Sequence, residues 1–230
     1  MAAFRRRRGE RWSRFAARVA NAFGLVLLLV IATYVLISVT AYKGWTGALI
    51  AAVAGASATV ALASADARPA VLQSTTAGAI AAVVLVAVSG LTGGSATLGI
   101  SALLLMCVLL VSTGTMLGAV LRERDVGFRT ILGAVSVYIN LGLLFTFLYA
   151  ALDKLQSGQF FGVTTTTGDY VFFSVTTLTT TGYGNLVPAA QPGKLLSGLE
   201  MLLGQLFLVT FIAGLVSLWR PGGALEKTSE

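Results

Sequence analysis

The chain has 230 residues, 56% of them hydrophobic and 11% charged, with a formal net charge of +7 and a mean hydropathy of +0.86. A soluble domain carries roughly 25% charged residues, so this composition excludes an ordinary globular protein and indicates a membrane protein. The basic residues form no nucleic-acid-binding face, and with no histidine and the single Cys107 the chain lacks the usual metal ligands and any intrachain disulfide, so neither an enzyme nor a cofactor is expected.

Seven arginines, Arg5, Arg6, Arg7, Arg8, Arg11, Arg14 and Arg18, precede the first apolar run. Residues 1–21 read as a cytoplasmic basic segment. Trp12, Phe15 and Val19 alternate with Arg11, Arg14 and Arg18 at helical spacing, so a helix here can lie on anionic lipid headgroups; a disordered basic tail is the alternative. The run from Ala22 to Ala41 holds about twenty uncharged residues, which is spanning length and longer than a signal-peptide core. It is expected to stay as a transmembrane helix.

Further apolar segments follow near 46–65, 70–91, 97–121, 130–152 and 195–219, each long enough to cross a hydrocarbon core of about 30 Å. Six crossings put both termini on one side of the membrane. That side holds 13 of the cations and the other only Lys43, Lys154 and Lys194. The positive-inside rule makes the termini cytoplasmic, and the expected location is the plasma membrane.

Residues 22–121 form a four-helix transmembrane domain. Its second and third spans are rich in small residues, as in Ala51-Ala52-Val53-Ala54-Gly55-Ala56-Ser57-Ala58, which let helices approach closely in lipid. The fourth span, Leu98 to Leu121, carries no cation. One charge crossing the field is worth about 2.3 kcal/mol per 100 mV, so this helix is not expected to sense voltage. Arg122, Arg124 and Arg129 belong to a cytoplasmic linker over 122–129.

Residues 130–220 form a separate pore domain. Between its two spans lies Asp153 to Lys194, with a short apolar piece, Tyr170 to Leu178. As a helix this piece is roughly 15 Å long, about half a membrane, with Asp169 expected as its N-cap. The run Thr164-Thr165-Thr166-Thr167 before it reads as a solvated turret. A segment that enters, stops halfway and returns needs its non-helical backbone buried in protein or lining a water-filled cavity. The returning stretch is Thr180-Thr181-Gly182-Tyr183-Gly184-Asn185, and its two glycines allow backbone angles that other residues avoid. Such a strand can aim successive carbonyls at one axis. Rings of carbonyls with a ring of threonine hydroxyls replace the hydration shell of a large alkali cation. One chain supplies a quarter of each ring, so a four-fold homotetramer is expected.

The stretch from Asp169 to Pro188 resembles the pore loop of the tetrameric potassium channels, and Met201-Leu202-Leu203-Gly204-Gln205-Leu206 resembles the inner helix of their bacterial members. The resemblance covers about residues 130–220. It implies that Thr180 supplies the innermost hydroxyl ring, that Thr181, Gly182, Tyr183 and Gly184 supply carbonyls to the permeant K+, and that Gly204 is the inner-helix glycine where gating bends occur. The family usually has Val or Ile at the position of Thr181 and Asp at that of Asn185. Phe172 and Phe173 stand where many members have two tryptophans, and Thr176 where some carry a buried acid. These departures imply a filter held less rigidly, with Thr181 able to bond to Thr177 or Thr176 and restore part of the support.

Glu200 falls about one turn inside the last span, where an ionisable residue is costly. It either reaches water from the helix end or pairs behind the filter; the nearby pore helix favours pairing. Lys194 reads as an interfacial anchor. One face of the last helix carries Met201, Gln205, Leu208, Ile212 and Val216 by steps of three or four, and these are expected to line the pore, with Ile212 or Val216 narrowest. Residues 221–230 are a short cytoplasmic tail, too small for a ligand-binding gating domain.

The expected architecture is therefore an all-α membrane protein of six transmembrane helices with a re-entrant pore helix and filter strand, assembled as a homotetramer. Its expected function is passive, potassium-selective conduction. A weakly selective monovalent-cation channel is the nearest alternative. A potassium transporter is disfavoured by a single pore loop with a full Gly-Tyr-Gly, and a non-conducting scaffold would have no purpose for the motif.

Overall fold

The computed structural model describes residues 23–122 and 128–218, with side chains at 128–129, 212 and 215–218 not among those described. The expected basic segment 1–21, the body of the 122–129 linker and the tail 221–230 lie outside the described residues. Seven helices follow in order: α1 Phe23–Val39, α2 Gly44–Ser64, α3 Pro69–Thr92, α4 Ser95–Arg122, α5 Phe128–Leu155, α6 Thr167–Leu178 and α7 Gly193–Leu218. Five of them, α2 to α5 and α7, are long and apolar enough to cross a membrane. The first is shorter than expected, with 17 described residues, or about 25 Å at 1.5 Å per residue.

Small residues set the spacing of the first four helices. A Cβ on Gly55 of α2 would stand 2.6 Å from the Ala79 Cβ on α3, and one on Gly90 would stand 2.7 Å from the Gly44 Cα. Backbones approach this closely where lipid offers no hydrophobic drive between helices. The few polar side chains on these spans bond to their own helix. Thr33 donates to the Leu29 carbonyl at 2.9 Å, Ser57 to Ala54 at 2.7 Å and Ser112 to Leu109 at 3.0 Å, the usual route for a hydroxyl in a helix interior.

The first four helices pack on α5 and α6 through α1 and α4. Gly99 near the start of α4 packs on Leu155 at the end of α5, while farther along Ser112 and Thr113 receive the Asn140 amide at 3.3 and 2.8 Å. The two helices are thus antiparallel neighbours. α1 meets α5 at its start, through Gly24 and Leu132, and reaches α6 at its end, where a Cβ on Gly168 would lie 2.9 Å from the Ser38 carbonyl oxygen. In the turn after α1, the Tyr42 N–H donates to Thr167 Oγ1 at 3.0 Å and its hydroxyl meets Ser101 Oγ at 3.1 Å. Burial pushes the Tyr42 hydroxyl pKa up, and the Ser101 bond offsets only part of that. The short helix α6 is therefore enclosed by α1, α5 and α7.

Candidate functional site: the loop from the short helix to the last span

The entry to α6 differs from expectation. The helix starts at Thr167, and its N-cap is Thr166 rather than Asp169. Asp169 occupies the third helical position and folds back to accept the Thr166 N–H at 2.6 Å and hydroxyl at 2.9 Å. This is the reciprocal arrangement of a capping box, with an acid near the positive helix end. Part of the threonine run is thus committed, Thr166 to the cap and Thr167 to Tyr42, and is not a purely solvated turret. At 12 residues the helix is about 18 Å long, still far short of a membrane.

Its other end shapes the stretch expected to form a filter. The last carbonyls of any helix lack internal partners, and here the following backbone supplies them. Thr180 N–H donates to Thr177 O at 3.0 Å, and Thr181 and Gly182 N–H both donate to Thr176 O at 2.8 and 3.1 Å. The N–H groups of the returning segment therefore face α6. At Thr180, Gly182 and Gly184 φ is +55°, +55° and +76°, whereas Thr181 and Tyr183 keep ordinary negative φ. Alternating left- and right-handed residues align successive peptide groups, N–H to one side and C=O to the other. No β-strand is present among the described residues; the expected filter strand is this alternating backbone. Glycine takes a positive φ without cost, but a β-branched residue there is an outlier, so Thr180 is held by its surroundings at roughly 1–3 kcal/mol.

The filter side chains have specific neighbours. Thr179 donates its hydroxyl to Val175 O at 2.8 Å, so the 2.8 Å contact between the Thr179 and Thr181 hydroxyls takes its proton from Thr181. The Thr181 hydroxyl bonds to that of Thr179, and not to Thr176 or Thr177 as expected. The Thr176 hydroxyl is already committed to Phe173 O at 3.0 Å. The Tyr183 ring stacks on Phe172 with centroids 5.7 Å apart and planes at 18°. Phe173 points away from the filter into an aromatic cluster with Tyr149, Phe160 and Phe161, at 5.1, 6.3 and 5.0 Å. Phe160 and Phe161 escaped the sequence reading, although adjacent aromatics in a polar loop were the available signal. Asp153 holds that loop by accepting the Phe160 N–H at 2.9 Å, and Phe160 O accepts the Ala189 N–H at 3.0 Å on the way out of the filter. The Asn185 side chain is exposed and has no hydrogen-bond partner among the described residues.

Glu200 is fully buried. Its carboxyl contacts the Tyr149 hydroxyl on α5 at 2.6 Å and the Ser174 hydroxyl on α6 at 2.5 Å. Gly204 lies one turn on, against the end of α6: a Cβ there would collide with the Leu178 carbonyl oxygen and stand 2.9 Å from the Leu178 side chain. The helix runs unbroken through it. Phe207 continues this face by stacking on Tyr138 at 5.5 Å. Met201 and Gln205 are exposed and Leu208 is half-buried, while the side chains of Ile212 and Val216 lie outside the described residues. A second stripe, Leu202, Leu206 and Val209, is exposed at 61%, 60% and 56%. Residues 179–185 are all exposed, Tyr183 at 70%. Residues 179–185 and much of an apolar face of α7 are thus exposed in the single chain.

Residues 130–220 match the model of a family described as ion channel. A rice protein (Oryza sativa subsp. japonica), two pore potassium channel b, is 34% identical over 86 residues, covering 37% of this chain and 23% of the rice protein. The chain thus matches about a quarter of that relative's length. No solved structure matches.

Proposed function

We propose that this chain is a potassium channel, similar over residues 130–220 to the ion-channel family and over 86 residues to the rice potassium channel, and that four copies assemble around an axis and conduct potassium passively across the plasma membrane. The observation that carries this reading is the backbone of residues 180–184, with positive φ at 180, 182 and 184, in which the Thr180, Thr181 and Gly182 N–H groups are taken up by α6. Their carbonyls are left to replace an ion's water. The exposed backbone of residues 179–185 supports assembly, because non-helical backbone does not suit lipid unless protein or a water-filled cavity surrounds it. In this tetramer Thr180 supplies the inner hydroxyl ring, Thr181 to Gly184 supply the carbonyl rings, and Phe172, Thr176 and Thr177 hold the backbone around them. Met201, Gly204, Gln205, Leu208, Ile212 and Val216 form the cavity and gate, with the termini cytoplasmic and the N-terminal arginines on anionic headgroups. The first four helices carry no sensor charge within the fourth span, so opening is not driven by that helix.

A second reading, weaker discrimination between potassium and sodium, is favoured by Asn185 having no partner and Phe172 and Phe173 having no N–H to give. Reconstitution into bilayers with potassium on one side and sodium on the other tests both. Unitary currents reversing near the potassium potential support selective conduction, a reversal near zero supports the weak filter, and silence rejects conduction.

A further inference from the structure

We propose that Glu200 is a positioning residue that works as an uncharged acid, donating its own proton to Ser174 and so clasping the last helix to the pore helix. This rests on the channel reading above for its consequence, but not for its chemistry.

The proton inventory carries it. The Ser174 oxygen lies 2.7 Å from the Gly142 carbonyl oxygen and 2.5 Å from Glu200 Oε1. A serine hydroxyl has one proton, and a carbonyl oxygen has none. Both contacts are hydrogen bonds only if the second proton comes from the carboxyl. With an ionised Glu200, Ser174 must spend its proton on one oxygen and face the other at bonding distance with nothing between them. The Gly142 carbonyl cannot supply the deficit, since it also accepts the Thr146 hydroxyl at 2.8 Å. The second carboxyl oxygen accepts from the Tyr149 hydroxyl at 2.6 Å, so the acid form satisfies every partner in the cluster.

The charged and titratable surroundings agree. From α5, Tyr149 and Tyr138 face the carboxyl, while α6 offers Ser174 and α7 offers Ser197 beside Tyr149. The one ion pair among the described residues joins Lys154 to Asp153, and no cation pairs with Glu200. A buried carboxylate without a cation is costly, whereas a neutral acid with one donor and one acceptor bond is not. The clasp spans three elements: Tyr149 on α5, Ser174 two turns before the filter, and Glu200 one turn before Gly204. Movement of the last helix is thereby transmitted to the helix that holds the filter N–H groups.

Infrared spectroscopy of the purified protein reads the protonation state without conduction. The expected result is a protonated-carboxyl carbonyl band at neutral pH that disappears in Glu200→Gln. Its absence from the parent spectrum overturns the proposal, even if the variant fails to assemble. Glutamine reproduces the acid's donor and acceptor, so Glu200→Gln should keep potassium flux within about twofold of the parent. Ser174→Ala should shift the open-to-closed ratio by about tenfold or more, the scale of a lost buried hydrogen bond. Alkaline solution should reduce the parent's flux and spare that of Glu200→Gln. Equal alkaline loss in both, or a Gln variant as impaired as Glu200→Ala, refutes the clasp; flux absent from every variant and the parent, with the band present, refutes conduction and leaves the clasp standing.

Discussion

Replacing Gly204 by alanine tests how the last helix is seated. In a free helix the change is favourable, because glycine is about 0.5–1 kcal/mol worse than alanine in a helix interior. If Gly204 served only as a flexible point for bending, Gly204→Ala should stabilise the protein by about that amount. The structure reverses the sign. The new Cβ would land on the Leu178 carbonyl oxygen, with the Leu178 carbonyl carbon 3.0 Å and its Cδ1 2.9 Å away. A side chain can rotate away; a backbone carbonyl at the end of α6 cannot without moving the helix. Overpacking of this kind costs typically about 1–3 kcal/mol, so the net change is a loss of roughly 1–2 kcal/mol per protomer after the propensity gain. In the proposed tetramer the loss is counted four times. Displacing Leu178 also drags Thr176 and Thr177, whose carbonyls hold the N–H groups of Thr180, Thr181 and Gly182, so the filter suffers with the fold. The assay is oligomer melting in detergent, followed by size-exclusion chromatography, beside potassium flux into proteoliposomes. Gly204→Ala should melt at lower temperature and lose flux. Leu178→Ala on that background removes the Cδ1 contact but not the carbonyl contact, and should rescue only in part. A Gly204→Ala protein as stable as the parent, or a full rescue by Leu178→Ala, would refute the backbone-contact reasoning.

Three further outcomes are expected. Thr181→Val with Asn185→Asp should raise the potassium-to-sodium permeability ratio or slow inactivation at low external potassium, since it removes a hydroxyl now bonded only to Thr179 and restores an acid able to make charge-assisted bonds; an unchanged ratio and time course in bi-ionic recordings would count against a loosened filter. Steady-state open probability in symmetric potassium should be nearly flat with voltage, because α4 has no cation before Arg122 in its last turn; a steep sigmoid carrying several gating charges from the fourth helix would be the contrary result. Cysteines at Met201, Gln205, Leu208, Ile212 and Val216 should react with cytoplasmic thiol reagents in open channels. Preferential reactivity at Leu202, Leu206 and Val209 would move the lining to the other exposed stripe.

Features that depend on composition over a short window were legible in the chain itself. A hydrocarbon core sets a length for an apolar run, so the five helices long enough to span one, and the short helix before the last of them, were legible from spacing. The turn after the short helix was legible because glycine takes the positive φ found at 182 and 184 without steric cost. Even there, the positive φ of Thr180 was not, since it results from three N–H groups competing for the last carbonyls of α6. The capping residue was misplaced by three positions for a similar reason: Thr166 and Asp169 are both good caps, and the approach of Tyr42 and Ser38 from α1 helps decide which backbone turns first. The direction of the Thr181 hydroxyl depended on whether Thr176 was already engaged. Composition and local spacing determined that this chain carries helices long and apolar enough to cross a membrane, a short helix of 12 residues before the last of them and a turn with positive φ at both of its glycines. Only the tertiary structure decided what holds that turn, because Glu200 finds its partners 51 and 26 residues away and Gly204 is dictated by a carbonyl on another helix. Such contacts arise from packing between distant segments, and no local pattern encodes which carbonyl a buried group will meet.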